Sequence, residues 1–247
     1  MDSATTPAEL TAMVGRRTAG FPLEHILGWA EFCGLRIAVD PGVFVPRRRT
    51  QFLVEQAALL LQREPRSRFN LQPRPDGQEG TVVVDLCCGS GAVGAALASR
   101  VAGIDLHAAD VDPAAVRCAR RNVAAAGGRV YEGDLFEPLP AVLRGRVEVL
   151  VINAPYVPTE EIGMMPPEAR DHEPLVSLDG GADGLAVHRR IAARAIDWLG
   201  PGGWLLIETG RRQAAGTSSV LASHGFSTVA SSSEELEATV VIGRLSP

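Results

Sequence analysis

The sequence predicts an α/β fold: a doubly wound, mostly parallel seven-stranded sheet, with a small N-terminal helix and β-hairpin attachment. Three observations carry that expectation. From position 81 onward, short β-branched runs alternate with longer stretches of helical periodicity, the pattern of strands joined by crossover helices. The chain has 247 residues, 46% hydrophobic and 21% charged, enough to bury one large core and too apolar for a disordered chain. A glycine-rich turn follows the first long strand and runs straight into a helix, residues 85 to 94 reading DLCCGSGAVG.

Taken in order, residues 31 to 39 (EFCGLRIAV) place Cys33, Leu35, Ile37 and Val39 on one side in alternation. Asp40, Pro41 and Gly42 then supply a turn before Val43 and Val45, so a β-hairpin is expected. A helix from about 50 to 61 follows, with apolar residues at 53, 54, 57, 58, 60 and 61. Residues 63 to 80, with three prolines and two glycines, read as a linker between an N-terminal part (1 to 62) and the main domain (81 to 247). Strands are expected at 81 to 85, 104 to 110, 129 to 132, 147 to 153, 203 to 209, 225 to 230 and 238 to 244. Helices are expected near 92 to 101, 113 to 126, 184 to 199 and 211 to 222. The second of these is specified at both ends: Asp112 is a good N-cap, Pro113 suits the first helical position, Val116, Ala119 and Val123 share a face, and Gly127 stops it.

Composition narrows the function. No apolar run approaches the ~18 residues of a membrane span and the N-terminus lacks an export signal, so a soluble, cytoplasmic protein is expected. Cys33, Cys87, Cys88 and Cys118 are spaced for neither a metal site nor a disulfide framework and read as small apolar fillers. A net charge of -5 argues against a dedicated nucleic-acid binder. All 24 basic residues are arginine, which removes Schiff-base lysines and the Walker-type phosphate lysine.

The glycine turn fits two cofactor classes. Gly89, Gly91 and Gly94 match GxGxxG, and Asp110 ends the next strand 21 positions after Gly89, where a carboxylate accepts from ribose hydroxyls. Asp85, four residues before the first glycine, tilts the choice from a dinucleotide to S-adenosylmethionine, because an anion sits better beside a sulfonium and an ammonium than beside a pyrophosphate. Asp134, after the third strand, could accept from an adenine amino group. Each piece also has a plainer reading: Asp85 capping a turn, Asp110 a solvated strand end, Asp134 starting a short helix. The fourth strand of the domain ends in Asn153, Ala154, Pro155 and Tyr156. The amide oxygen of Asn153 and the carbonyl of Ala154 are two acceptors close together, suited to a planar NH2 group, with the Tyr156 ring for that group to rest against. Pro155 biases Ala154 toward an extended conformation that aims its carbonyl outward.

The segments VFVPR (43 to 47), DLCCGSG (85 to 91), ADVD (109 to 112), GDLF (133 to 136), NAPY (153 to 156) and EPLVSLDGGADGL (173 to 185) resemble the HemK/PrmC family, the protein glutamine methyltransferases that modify peptide-chain release factors. The likeness runs from about residue 21 to about 244. It implies a Rossmann-like class I methyltransferase fold, S-adenosylmethionine as cofactor and a release factor as protein substrate. It places the turn Cys87, Cys88, Gly89, Ser90 and Gly91 along the cofactor, Asp110 on its ribose, and Asp134 and Leu135 on its adenine. The family's NPPY motif grips the glutamine amide through the places that Asn153 and Ala154 hold here. NAPY departs from NPPY but keeps the carbonyl. The family's PRPETE appears as PRRRTQ (46 to 51), gathering Arg47, Arg48 and Arg49 near the expected cleft mouth, with Arg47 as a substrate-cleft residue. Three cations at a helix N-terminus oppose its dipole and invite an explanation. Only about 20 residues precede the matching region, where the family carries a helical docking domain.

The expected chemistry is in-line attack of an amide nitrogen on the cofactor methyl, driven by alignment and electrostatics rather than by a strong base. None of the five histidines is needed as a base, His172 being the one nearest in sequence to the tetrapeptide. Three alternatives stay open: an adenine or guanine exocyclic-amine methyltransferase, a small-molecule N-methyltransferase, and a non-catalytic protein that keeps the cofactor fold. The first should show stacking aromatics and a positive groove. The sequence carries no reading of the oligomeric state.

Overall fold

The computed structural model describes residues 6–63 and 80–245. The expected linker at 63 to 80 lies outside them except for its two end residues. Helix α1 (Pro7–Thr18) is closed by a capping box in which the Thr6 hydroxyl accepts from the Glu9 N–H and the Glu9 carboxylate accepts from the Thr6 N–H. A short α2 (Leu23–Leu27) leads into an antiparallel hairpin of β1 (Trp29–Phe32) and β2 (Leu35–Ala38). The expected strand at 31 to 39 is thus itself a hairpin. Cys33 and Gly34 both take positive φ (54° and 81°), as a two-residue hairpin turn requires, and Glu31 accepts from the Gly34 N–H at 2.7 Å. Cys33 therefore sits at a turn rather than in an alternating row. Residues 40 to 42 do turn the chain, Val43 N–H donating to the Asp40 carbonyl at 3.1 Å, but Val43 and Val45 then run as buried irregular chain.

The main sheet holds β3 (Thr81–Leu86), β4 (Ile104–Asp110), β5 (Arg129–Glu132), β6 (Val147–Ile152), β7 (Leu199–Glu208), β8 (Phe226–Ser233) and β9 (Ala238–Leu245), in the order β5-β4-β3-β6-β7-β9-β8. The first five are parallel; β9 runs antiparallel to β7 and to β8. One face is covered by α3 (Gln51–Arg63), α4 (Ala92–Arg100), α5 (Pro113–Val123) and the hairpin, which bury Phe32, Leu53, Leu97 and Cys118 with Val83, Val151 and Leu206 of the sheet. The other face is covered by α7 (Ala186–Ala195), α8 (Ala214–Ala222) and the chain from Phe136 to Leu143, with Trp198 stacked on Phe136 at 5.7 Å. The N-terminal hairpin is a separate two-stranded sheet, and with α3 it shares the core of this face, each buried large apolar side chain contributing about 1.5–3 kcal/mol.

Local signals were obeyed where they were strong: Asp112 caps α5 by accepting from the Ala114 N–H at 2.8 Å, and Gly127 ends the region at φ 66°. Several boundaries moved, two of them for reasons visible in the packing and turns. The helix expected to 199 stops at Ala195, because Trp198 and Leu199 are claimed by the core and by pairing with Val147. The helix expected from 211 starts at Ala214, after a turn in which Gln213 N–H donates to the Gly210 carbonyl.

The register sets the site. Leu86 lies opposite Ala109 and Ile152, and Ile152 opposite Ile207. One residue further on, Asp110, Cys87, Asn153 and Glu208 form a row across four neighbouring strand ends. Strand order reverses between β3 and β6, so this row lies at the switch point where open α/β sheets bind ligands.

Candidate active site

After β3 the backbone turns through Cys87, Gly89 and Gly91 with φ of 55°, 53° and 76°. A cysteine in that region is strained, and the carboxylates around it hold the turn. Asp110 accepts from the Gly89 N–H at 2.8 Å and from the Asp112 N–H at 2.9 Å, while buried Asp85 accepts from the Gly94 N–H at 2.9 Å. Burial pushes the Asp85 carboxyl up to about 7, against the lowering effect of the Gly94 bond, and raises Asp110 as well. Burial likewise raises the Cys87 and Cys88 thiols, which stay neutral and are poor nucleophiles.

The Asn153 segment is clamped from behind. The chain at 173 to 185 folds back beneath it: Gly180 N–H donates to the Val157 carbonyl at 2.8 Å, and Gln213 Nε2 donates to the Tyr156 carbonyl at 2.8 Å. A Cβ on Gly184 would lie 2.2 Å from the Tyr156 carbonyl oxygen, so the glycines of this stretch are there for close backbone approach. Asn153 Nδ2 donates to Thr50 Oγ1 at 3.3 Å. Among the described residues nothing donates to Asn153 Oδ1 or to the Ala154 carbonyl.

These parts line one cleft of about 490 Å³. It gathers Asp85, Cys87, Cys88, Gly89, Ser90, Asp110, Asp134, Leu135, Asn153, Ala154, Pro155, Tyr156 and Arg47, so every expected site residue but one is in its wall. Gly91 is the exception. A Cβ there would meet Ala119 Cβ at 3.0 Å, so the glycine lets the turn pack on α5. Asp134 is also less free than expected, because it is ion-paired with Arg190. Leu135 beside it holds φ at 48°. His172 stacks on Phe21 with ring centroids 4.3 Å apart, and no histidine lines the cleft.

The arginine triplet is divided among three acids. Arg47 Nη2 donates to both oxygens of buried Glu173 at 2.5 Å, and Glu173 Oε1 also accepts from the Val45 N–H at 3.1 Å. Arg49 Nε donates to Glu208 Oε1 at 3.3 Å, with its guanidinium 5.9 Å from the Tyr156 ring centroid. Exposed Arg48 approaches Glu235 at 3.7 Å. Each cation has a carboxylate beside it, which answers the unfavourable dipole. Sequence reasoning missed Thr50, Glu208, Glu173 and Phe44. Only Glu208 had a signal: like Asp85 and Asp110, it is an acid at the carboxyl end of a buried strand.

The cleft fits S-adenosylmethionine by the chemistry of its lining. Asp85 and Asp110 are ion-paired with no cation among the described residues, and an ammonium, a sulfonium and ribose hydroxyls are what such acceptors lack. Residues 36–165 match the family model described as "Methyltransferase small domain". A release factor glutamine methyltransferase of Geobacter sulfurreducens is 38% identical over 91% of this chain and 74% of its own length. One from Streptomyces coelicolor is 38% identical over 79% of this chain and 65% of its own length, so this chain spans about two thirds to three quarters of these relatives. A 4-amino-L-phenylalanine/4-methylamino-L-phenylalanine methyltransferase of Streptomyces pristinaespiralis is 36% identical over 85% of this chain and 68% of its own length. Among solved structures, a methyltransferase of Pyrococcus furiosus aligns at TM-score 0.58 with 16% identity, over 97% of this chain and 100% of that one, which speaks to fold alone. The sheet order, the carboxylate-lined turn and these relatives agree: the chain belongs to the release factor glutamine methyltransferase family of S-adenosylmethionine-dependent methyltransferases.

Proposed function

We propose that this chain methylates the side-chain amide nitrogen of a glutamine in a peptide-chain release factor, holding the acceptor through Asn153 and Ala154. The observation that carries the proposal is the pair of undonated acceptors, Asn153 Oδ1 and the Ala154 carbonyl, side by side at the end of β6 in the wall of the cleft. Two acceptors take both hydrogens of an NH2 group, fix its plane and leave its remaining electron density facing along the cleft. When bound, the cofactor supplies an electrophilic methyl on sulfur. Asp110, Asp134, Leu135 and the turn from Cys87 to Ser90 would hold it, with Asp85 behind the turn. Tyr156 supports the flat acceptor with its ring, and its hydroxyl, kept protonated by burial, donates to Glu208 at 3.3 Å. Alignment of this kind contributes up to ~7–11 kcal/mol, which suits a poor nucleophile in a cleft without a histidine base. The nitrogen gives up its proton to water or to a carbonyl acceptor once methylated.

A second reading, methyl transfer to a ring amine of an amino acid, is favoured by the relative from Streptomyces pristinaespiralis. Nucleic acid fits less well, since the three arginines of the mouth already face carboxylates and net charge is -5.

Incubation with methyl-labelled cofactor and, separately, a release factor, 4-amino-L-phenylalanine and total RNA tests this. Label on a release-factor glutamine, lost in Asn153→Ala while cofactor still binds, is the expected result. Label on the amino acid or RNA alone would overturn it.

A further inference from the structure

Asparagine can hold a substrate amide only if its oxygen, not its nitrogen, faces that amide, and the two ends of its side chain are nearly equal in shape. Neighbouring hydrogen bonds decide the orientation. Among the described residues Asn153 has one such neighbour, the hydroxyl of Thr50, which comes from a different part of the chain, 103 residues away, and is itself buried. A hydroxyl can donate once and accept twice. Which of these it offers to Asn153 depends on where its proton goes.

Behind Thr50 stands Glu208, the residue beside Asn153 in the strand-end row, with its side chain almost fully buried. Its Oε1 accepts from Arg49 Nε and from the Tyr156 hydroxyl, both at 3.3 Å. Among the described residues its Oε2 is buried and makes no hydrogen bond. A buried carboxylate oxygen without a donor is costly; burial raises the Glu208 carboxyl, and the neighbouring Thr50 hydroxyl and the Arg49 cation oppose that shift and favour the charged, acceptor-only form.

We propose that Thr50 is a positioning residue: its proton turns to Glu208, its lone pair takes the Asn153 NH2 group, and the Asn153 oxygen is thereby held toward the methyl acceptor. The reversed amide would set its oxygen against the lone pairs of Thr50 and aim an NH2 group at the acceptor's own NH2. The pair Thr50 and Glu208 thus makes the site selective for a donor such as a primary amide or amine. This role rests on the proposed grip of Asn153 on the acceptor.

The test compares Thr50→Val, which keeps the shape and loses the hydroxyl, with Thr50→Ser, which keeps the hydroxyl, using whichever acceptor the wild-type enzyme methylates. Thr50→Val should lower kcat/KM about 10- to 100-fold, the worth of one orienting hydrogen bond, with cofactor affinity unchanged. Thr50→Ser should restore most of it. In an Asn153→Ala background, Thr50→Val should cause no further loss. A readout independent of activity is the nitrogen-15-labelled side-chain NH2 signal of Asn153, assigned by its disappearance in Asn153→Ala. Its protons should exchange slowly with solvent in the wild type and Thr50→Ser, and fast in Thr50→Val. Wild-type kcat/KM and slow exchange in Thr50→Val, equal losses in Val and Ser, or fully multiplicative losses in the double variant would each overturn the positioning role. Full activity of Asn153→Ala would instead overturn the reading of the grip itself.

Discussion

Asp85 offers a prediction whose size follows from its surroundings. Its carboxyl is 2% exposed, accepts the Gly94 N–H at 2.9 Å, and titrates at about 7 instead of 3.8, chiefly because burial penalises its charge. The folded chain therefore holds a proton on Asp85 between about pH 4 and 7 that the unfolded chain has released. Folding takes up that proton, so the contribution is fully present below the unfolded value and is lost as pH rises through about 7. At about 1.4 kcal/mol per pH unit, the loss between pH 5 and 8 comes to about 3 kcal/mol, an upper figure for a site that can relax. Asp85→Asn keeps an oxygen for the Gly94 N–H and has no proton to lose. The comparison must be differential, since buried His188, lowered to about 4, has the opposite slope between its folded and unfolded values. Urea unfolding of both proteins at pH 5 and 8, followed by tryptophan fluorescence, should show the wild type losing about 3 kcal/mol relative to Asp85→Asn. Parallel pH dependences would refute the buried, proton-holding carboxyl. A cationic cofactor favours the ionised carboxylate, so S-adenosylmethionine should also bind more tightly to the wild type at pH 8 than at pH 6, with this difference reduced in Asp85→Asn.

Other expectations are shorter. Gly184→Ala places a Cβ 2.1 Å from Gln213 Nε2 at a φ of +72°, so it should lower stability by about 1–3 kcal/mol and cut methyl transfer by displacing Tyr156, read by thermal unfolding and initial rates. Gly91→Ala meets Ala119 on α5 and should destabilise by a similar amount, with cofactor affinity falling only as the turn shifts. Arg47→Met leaves the Glu173 carboxylate buried with the Val45 N–H. The loss should be about 2–3 kcal/mol, below the usual range for a broken buried pair because Arg47 is 31% exposed, and larger at pH 8 than at pH 5, where Glu173 can take a proton. Methyl transfer should fall only weakly between 50 and 200 mM salt, whereas an acceptor held through several phosphates would show a steep logarithmic decline.

What could be read from the sequence was what neighbours along the chain decide. The α5 helix was legible because Asp112, Pro113 and Gly127 act within a turn of themselves. The turn from Cys87 to Ser90 and the Asn153 segment were legible because a parallel strand puts whatever follows it at the same edge of the sheet. Cys33 and Gly34 were misread because alternation of apolar residues continues across a two-residue turn, and the turn shows only in backbone angles. A glycine pattern does not say which neighbour comes close; at Gly91 it is Ala119. Thr50 and Glu208 were invisible as a pair, since 158 positions separate them and only the packing of α3 under the sheet and the register of β6 on β7 bring them to Asn153.

The same packing resolves the arginine triplet, and with it the chemistry the cleft mouth can offer. Read along the chain, three consecutive cations at a helix start suggest a polyanion site. In the fold they diverge: Arg47 toward the loop after α6 (Pro167–His172), Arg49 toward the end of β7, and Arg48 toward Glu235 before β9. Arg47 and Arg49 each meet a carboxylate that is almost fully buried, and a buried carboxylate without its cation is far costlier than an exposed arginine without its anion. The arginines are therefore held by what lies beneath them. Arg47 and Arg49 oppose the burial that raises Glu173 and Glu208, and on the proposed role of Thr50 it is Arg49 alone, through Glu208, that bears on the orientation of Asn153.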